Sequence, residues 1–216
     1  PCATEYLESR TPQYNGDLIS WAAIGARTAA SPTHRKLAST LSMPVGIKND
    51  THGDISVAVY GVLKARERNV LPDGITEDGV PAIVISAGNP YAHIVLRGGD
   101  GGPNYDAKSV KTAQGLLRSA GLPPNVVIDC SHGNSNKDYT KQPEVFESMV
   151  KQIRDGNKWI VGGMIEFNIV EGNQKIPTNL TGFDSSTLRY GQSITDTCIS
   201  LITGRKLILD AYRTLS

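Results

Sequence analysis

Six side chains carry the chemistry this sequence offers: Arg27, Lys48, Arg97, His132, Glu166 and Asp196. Five of them stand at or just after the end of a short apolar run. Arg27 follows Ala22–Ala26, Lys48 ends Val45–Ile47, Arg97 ends Ile94–Leu96, His132 follows Val126–Ser131 and Glu166 ends Ile160–Ile165. In a parallel α/β barrel the C-terminal strand ends carry the active site, so these positions point to one mouth. Three cations there suit an anionic ligand, because arginine presents a planar fork to phosphate or carboxylate and lysine a compact charge. One imidazole and two carboxylates suit a divalent metal such as Mn²⁺, Fe²⁺, Co²⁺ or Zn²⁺ with positions left open for substrate. Structural alternatives stand beside both. Each cation can pair with a carboxylate at the rim, His132 can be a hydrogen-bonded structural residue, and Asp196 can cap a following helix.

The elements that must position these residues are legible as short apolar runs alternating with longer amphipathic ones, the sign of repeated βα units around a parallel sheet. Six strands are expected: Ala3–Tyr6, Ala22–Ala26, Val45–Lys48, Ile94–Arg97, Val126–Ser131 and Ile160–Glu166. Thr11-Pro12 and Ser31-Pro32 each place a capping residue before a proline at a helix start. Three helical stripes follow: Ile55, Val59, Val62 and Leu63; Val110, Ala113, Leu116 and Leu117; Val145, Met149 and Ile153. Val80–Ser86 lies between turn signals and is expected to form a hairpin, inserted between barrel strands, with Gly74–Thr76. Residues 173–188 are polar and loop-like, and Ser193-Ile194-Thr195-Asp196 is expected to open a C-terminal helix running to about Tyr212.

The 216 residues, 39% hydrophobic and 20% charged, allow one sizeable core and one domain over 1–216. A net charge of +1 provides no bulk attraction to nucleic acid or anionic membrane, and no apolar run is long enough to span a bilayer, so the partner is expected to be small. Three widely spaced cysteines without a CxxC pair argue against a disulfide framework or a structural zinc site and fit a reducing, cytoplasmic setting.

Several ordered segments carry a resemblance. They are Ala3-Thr4-Glu5-Tyr6-Leu7, Ile24-Gly25-Ala26-Arg27-Thr28, Pro44-Val45-Gly46-Ile47-Lys48-Asn49, Leu96-Arg97-Gly98-Gly99, Ile128-Asp129-Cys130-Ser131-His132-Gly133-Asn134-Ser135, Glu171-Gly172-Asn173-Gln174 and Ser193-Ile194-Thr195-Asp196. Together they resemble the type I 3-deoxy-7-phosphoheptulonate (DAHP) synthases, which condense phosphoenolpyruvate with erythrose 4-phosphate. The resemblance implies a (β/α)₈ TIM barrel in which Ala26, Arg27, Lys48 and Arg97 bind phosphoenolpyruvate. It also implies that His132, Glu166 and Asp196 hold the divalent metal, with Lys48, His132 and Glu166 closest to the chemistry.

The match starts at what would be the family's third barrel strand. The implied architecture is therefore a barrel lacking its first two βα units, with about six strands plus the inserted hairpin. Those two units would supply a fourth metal ligand, a cysteine to which Cys2 does not correspond, and a Lys-Pro-Arg-Thr segment that contacts both substrates. An open barrel side exposes unpaired strand edges, and a homo-oligomer covering that side is expected. Within the matched part, His52 stands where an acidic residue is usual, Glu77 where a lysine is usual, Phe167 where a small serine is usual, and Leu-Arg-Gly-Gly continues into Asp100-Gly101-Gly102 without the usual lysine. Three functions stay open: the synthase reaction, different small-molecule chemistry in specialised metabolism on the same scaffold, and a non-catalytic regulatory partner of a full-length synthase.

Overall fold

The computed structural model describes residues 1–76 and 78–216; Glu77, expected in the hairpin, lies outside them. Six strands form one parallel sheet: β1 (Cys2–Glu5), β2 (Ile19–Ile24), β3 (Val45–Lys48), and, beyond the hairpin β4 (Asn69–Ile75) and β5 (Pro81–Ser86), β6 (His93–Leu96), β7 (Val126–Asp129) and β8 (Ile160–Met164). Their spatial order is β1-β2-β3-β6-β7-β8, a curled parallel half-barrel, and every neighbouring pair is parallel. Strands β3, β6 and β7 are buried at every position, which is why they read as unbroken apolar runs rather than as an alternation.

Among the described residues a single helical turn, α1 (Pro12–Asn15), precedes four helices that accompany the sheet, α2 (Pro32–Thr40), α3 (Ile55–Arg66), α4 (Ala107–Ser119) and α5 (Gln142–Arg154), and α6 (Leu201–Leu215) follows them. The main core lies between the sheet and these helices, where Val45, Ile47, Ile94, Leu96, Val126 and Ile128 meet Leu37, Val62, Val110, Leu117 and Met149. Ser31 caps α2 as expected, accepting the His34 N–H. Thr11 makes no side-chain cap to α1; the Glu8 carboxylate takes its backbone N–H instead.

Two sequence expectations are corrected. The C-terminal helix starts at Leu201, not Ser193, because Ser200 is its cap, accepting the Thr203 N–H at 3.2 Å. Residues ahead of it form short parallel pairings: Gln192–Ser193 with Val170–Asn173, and Ile199–Ser200 with Phe167–Asn168. In α4 the buried stripe includes Gln114, bonded to Asn157, while Leu116 faces solvent. Phe167 lies against Gly204 of α6.

Inside the curl, Gly46 leaves room for the Trp21 ring; a Cβ at Gly46 would come within 2.4 Å of it. Trp21 Nε1 donates to His93 Nε2 at 3.1 Å, while the other ring nitrogen of His93 lies 2.9 Å from the Tyr91 carbonyl. Both contacts hold only for neutral imidazole protonated on Nδ1. Burial pulls the His93 pKa below 6.5, against the opposing carbonyl of Tyr91. An unfolded chain therefore takes up this proton first, so the stability linked to His93 is complete above about pH 6.5 and is lost as pH falls through the folded value. Urea unfolding between pH 8 and pH 5 is expected to show falling stability on acidification. His93→Gln should cost about 1 kcal/mol at pH 8 and flatten that slope; an unchanged slope would place the titrating group elsewhere.

Candidate functional site

The C-terminal ends of the strands open into two adjoining cavities of about 480 and 410 Å³. Both are lined by Arg27, Thr51, Arg97, His132, Glu166 and Asp196; the second is also lined by Ala26 and Lys48. Every site residue expected from sequence is thus brought to one mouth.

His132, Glu166 and Asp196 present donor atoms that all lie within 4.8 Å of one another. His132 Nε2 is 3.6 Å from Glu166 Oε1 and 3.9 Å from Asp196 Oδ2. One imidazole nitrogen and two carboxylate oxygens at these separations form a donor set that fits a divalent ion. Asp196 stands five residues before α6 and does not cap it, which removes the structural alternative for that residue. Glu166 is held from both sides: Ser131 Oγ donates to its carboxylate at 2.7 Å, and the fully buried Gln142 accepts its backbone N–H at 2.8 Å. Burial raises the Glu166 pKa, assisted by the charges of Asp129 and Asp196, against Ser131 and His132.

Asp129 went unassigned in the sequence, although a charge inside an apolar run was its signal. It is fully buried, 2.9 Å from Lys48 Nζ and 2.9 Å from His132 Nδ1. The Lys48 contact is a well-formed hydrogen bond, whereas the His132 N–H is not aimed along the line to the carboxylate, so that contact is chiefly electrostatic. Burial would raise the Asp129 pKa, yet His132 and Lys48 outweigh it and bring it down to about 2.

A set of asparagines fixes the strand ends. Asn49 accepts the Arg97 N–H at 2.9 Å and donates to the Gly98 carbonyl; Asn104 accepts the Gly98 N–H at 2.8 Å; Asn134 accepts the Asn104 N–H and donates to Leu96 and Asp129 carbonyls. Their loops touch backbone to backbone: a Cβ on Gly133 would fall 2.5 Å from Gly99 N, and one on Gly98, at φ 70°, 2.4 Å from the Gly133 carbonyl carbon. The Arg97 side chain is 7% exposed, borders both cavities and, among the described residues, has no carboxylate within ion-pair distance. Arg27 is exposed and likewise unpaired among those residues. His52 and Asp100 pair with each other at the rim, 2.8 Å apart.

A parallel α/β half-barrel with cations and a potential metal triad at the C-terminal strand ends defines the class: a TIM-barrel-derived fold with its candidate site at the strand-end mouth. The family is narrower. A sequence model of the DAHP synthetase I family matches residues 1–207, and the chain belongs to that family. It is 47% identical, over all 216 residues, to the Tyr-sensitive phospho-2-dehydro-3-deoxyheptonate aldolase of Salmonella typhimurium, but spans only 59% of that protein. A Tyr-sensitive relative from Enterobacter agglomerans is 44% identical over 208 residues and is 94% covered. The structure of the Francisella tularensis phospho-2-dehydro-3-deoxyheptonate aldolase superposes on the whole chain with TM-score 0.90 at 42% identity, covering 60% of that protein.

Asp129→Asn should leave the Lys48 ammonium buried without a counter-charge, at a cost of about 3–5 kcal/mol in urea unfolding. By loosening His132 it should also weaken Mn²⁺ binding about 10- to 100-fold in calorimetric titration. Unchanged Mn²⁺ affinity would mean that Asp129 supports the fold alone.

Proposed function

We propose that the chain carries the phosphoenolpyruvate and metal portion of a DAHP synthase active site and acts in the condensation of phosphoenolpyruvate with erythrose 4-phosphate. The observation that carries this function is the buried Arg97 guanidinium, held open to the cavities with no carboxylate partner among the described residues. A desolvated cation left unneutralised by the protein has an anion as its natural complement.

In this scheme Arg27 and Arg97 hold phosphoenolpyruvate, with Lys48, bonded to Asp129, beside them and Ala26 shaping the wall. C3 of the enol phosphate forms a bond to the aldehyde carbon of erythrose 4-phosphate. Water adds at C2, and the C2–O bond breaks to release inorganic phosphate, leaving the seven-carbon keto acid phosphate. His132, Glu166 and Asp196 would hold a divalent ion, whose chemistry when bound is to polarise the aldehyde oxygen or to position a water. The arginines offset the substrate charges and stabilise the charge that shifts during attack. Glu166 and Lys48 are the protein groups placed to accept or hold a proton near the reacting carbons.

Strands β1 and β8 are the edges of the sheet among the described residues, and a cavity of about 720 Å³ with a mostly apolar wall opens inside the curl. Unpaired edges beside such a wall favour closure by a second copy, so a homo-oligomer through this side is part of the proposal. Three free cysteines support work in a reducing cytoplasm. Among the described residues no helix is long and apolar enough to cross a membrane.

Purified chain with phosphoenolpyruvate, erythrose 4-phosphate and Mn²⁺ is expected to consume phosphoenolpyruvate, and chelator should stop it. Arg97→Ala should weaken phosphoenolpyruvate binding about a hundredfold. If Glu166→Ala leaves both Mn²⁺ affinity and turnover at the parental values, the metal-dependent assignment fails. Sedimentation at micromolar concentration should show a dimer or larger species, and a monodisperse monomer would remove the oligomer.

A further inference from the structure

We propose that Ser131 is a positioning residue for the candidate metal centre: its hydroxyl occupies one oxygen of Glu166 and leaves the other as the donor facing His132. The assignment rests on the metal portion of the function proposed above. The pairing of β7 with β8 ends at Asp129 and Met164, so Glu166 lies two residues beyond it. Its backbone is fixed instead by one buried amide. Gln142, fully buried at the start of α5, accepts the Glu166 N–H at 2.8 Å and donates through Nε2 to the Glu166 carbonyl at 3.2 Å. The same carbonyl accepts the Ile199 N–H at 3.0 Å. With both backbone polar groups held, the freedom left to Glu166 is rotation of a long, rotamer-rich side chain.

Ser131 removes that freedom. Its Oγ donates to Glu166 Oε2 at 2.7 Å, a length typical of a hydroxyl on a carboxylate, and Oε1 is then the oxygen 3.6 Å from His132 Nε2. The hydroxyl is aimed from a fixed base. Ser131 is buried, its N–H donates to Asp129 Oδ1 at 2.9 Å, and its carbonyl accepts the Asn134 N–H at 3.1 Å. Asp129 is thereby divided as Glu166 is: Oδ1 takes the Ser131 N–H, and Oδ2 faces Lys48 and His132 Nδ1. One residue thus assigns the oxygens of two carboxylates, and it stands directly before the imidazole that both of them face.

A serine that only needed to satisfy its own hydroxyl could use a nearby carbonyl. Ser135, in the same loop, does so: its Oγ lies 3.4 Å from the His132 carbonyl. The Ser131 hydroxyl instead reaches across 35 positions of sequence to a carboxylate that borders both cavities. A donor carboxylate already oriented in the folded chain has less to order when an ion arrives, which is how hydrogen bonds behind a metal ligand raise affinity.

The test is calorimetric titration of Mn²⁺ into the metal-free 216-residue chain for the parent, Ser131→Ala and Ser131→Thr, with urea unfolding of each metal-free protein. Ser131→Ala is expected to weaken Mn²⁺ binding about 10- to 100-fold while the metal-free chain unfolds close to the parental urea midpoint. Ser131→Thr keeps the hydroxyl and should recover most of the affinity. The electron paramagnetic resonance spectrum of bound Mn²⁺ at saturation should change in Ser131→Ala and return toward the parental form in Ser131→Thr. Parental Mn²⁺ affinity in Ser131→Ala would overturn the proposal. So would a Ser131→Ala chain that fails to fold, or an affinity loss that Ser131→Thr does not reverse, since either would make Ser131 a purely structural residue. In each of those cases a parent that binds Mn²⁺ leaves the metal assignment standing; a parent that binds none would overturn that assignment and this one with it.

Discussion

The site depends on one buried negative charge. The Asp129 carboxylate is fully enclosed and lies 2.9 Å from both the Lys48 ammonium and the His132 ring. A lone carboxylate in such a place would keep its proton. Beside His132 and Lys48 the Asp129 carboxyl is held well below the usual carboxylate range, and its bond to Lys48 fixes the cation of β3 against the end of β7. Attraction of this strength needs a dry setting, and the close-packed strand ends around Asp129 provide it. The asparagine network and the glycine contacts between loops act toward the same end, because they set the distance at which β3, β6 and β7 finish.

The three cations are consequently not equivalent. Lys48 is neutralised by the protein, so its role toward a ligand is directional: it presents N–H donors at a fixed point. Arg27 and Arg97 keep their charge uncompensated among the described residues, and the field they leave in the cavities attracts an anion. The acidic donors lie across the same mouth, where Glu166 and Asp196 face His132. Uncancelled positive charge and clustered acidic donors thus border the same mouth.

Much of this arrangement was legible in the residues. Strands buried on both faces have to be apolar throughout, so β3, β6 and β7 announced themselves, and the polar residue closing each run marked the mouth. What escaped were polar residues whose partners are far away in sequence. Asn49 and Asn104 meet across 55 positions, and Gln142 meets Glu166 across 24. Buried asparagine and glutamine look like surface residues until the fold supplies their partners. Two errors had local causes. The Ser193–Asp196 pattern imitates a helix start, but Ser193 pairs with Asn173 and Ser200 takes the cap. The α4 stripe was rotated because Gln114 occupies a buried position that an apolar count passes over.

The distribution of these ties separates the site from the open side of the sheet. Asp129, the three asparagines and the touching glycines all lie on β3, β6, β7 and their following loops, the middle of the six-stranded order. None of those bonds passes through β1, and β8 contributes only the segment leading to Glu166, itself secured by Gln142 and Ser131. The positions of Lys48, Arg97, His132 and Glu166 at the mouth are therefore set without the edge strand β1. Any wall added on the open side would exclude water and strengthen the charge interactions inside, while leaving the arrangement set by the central strands.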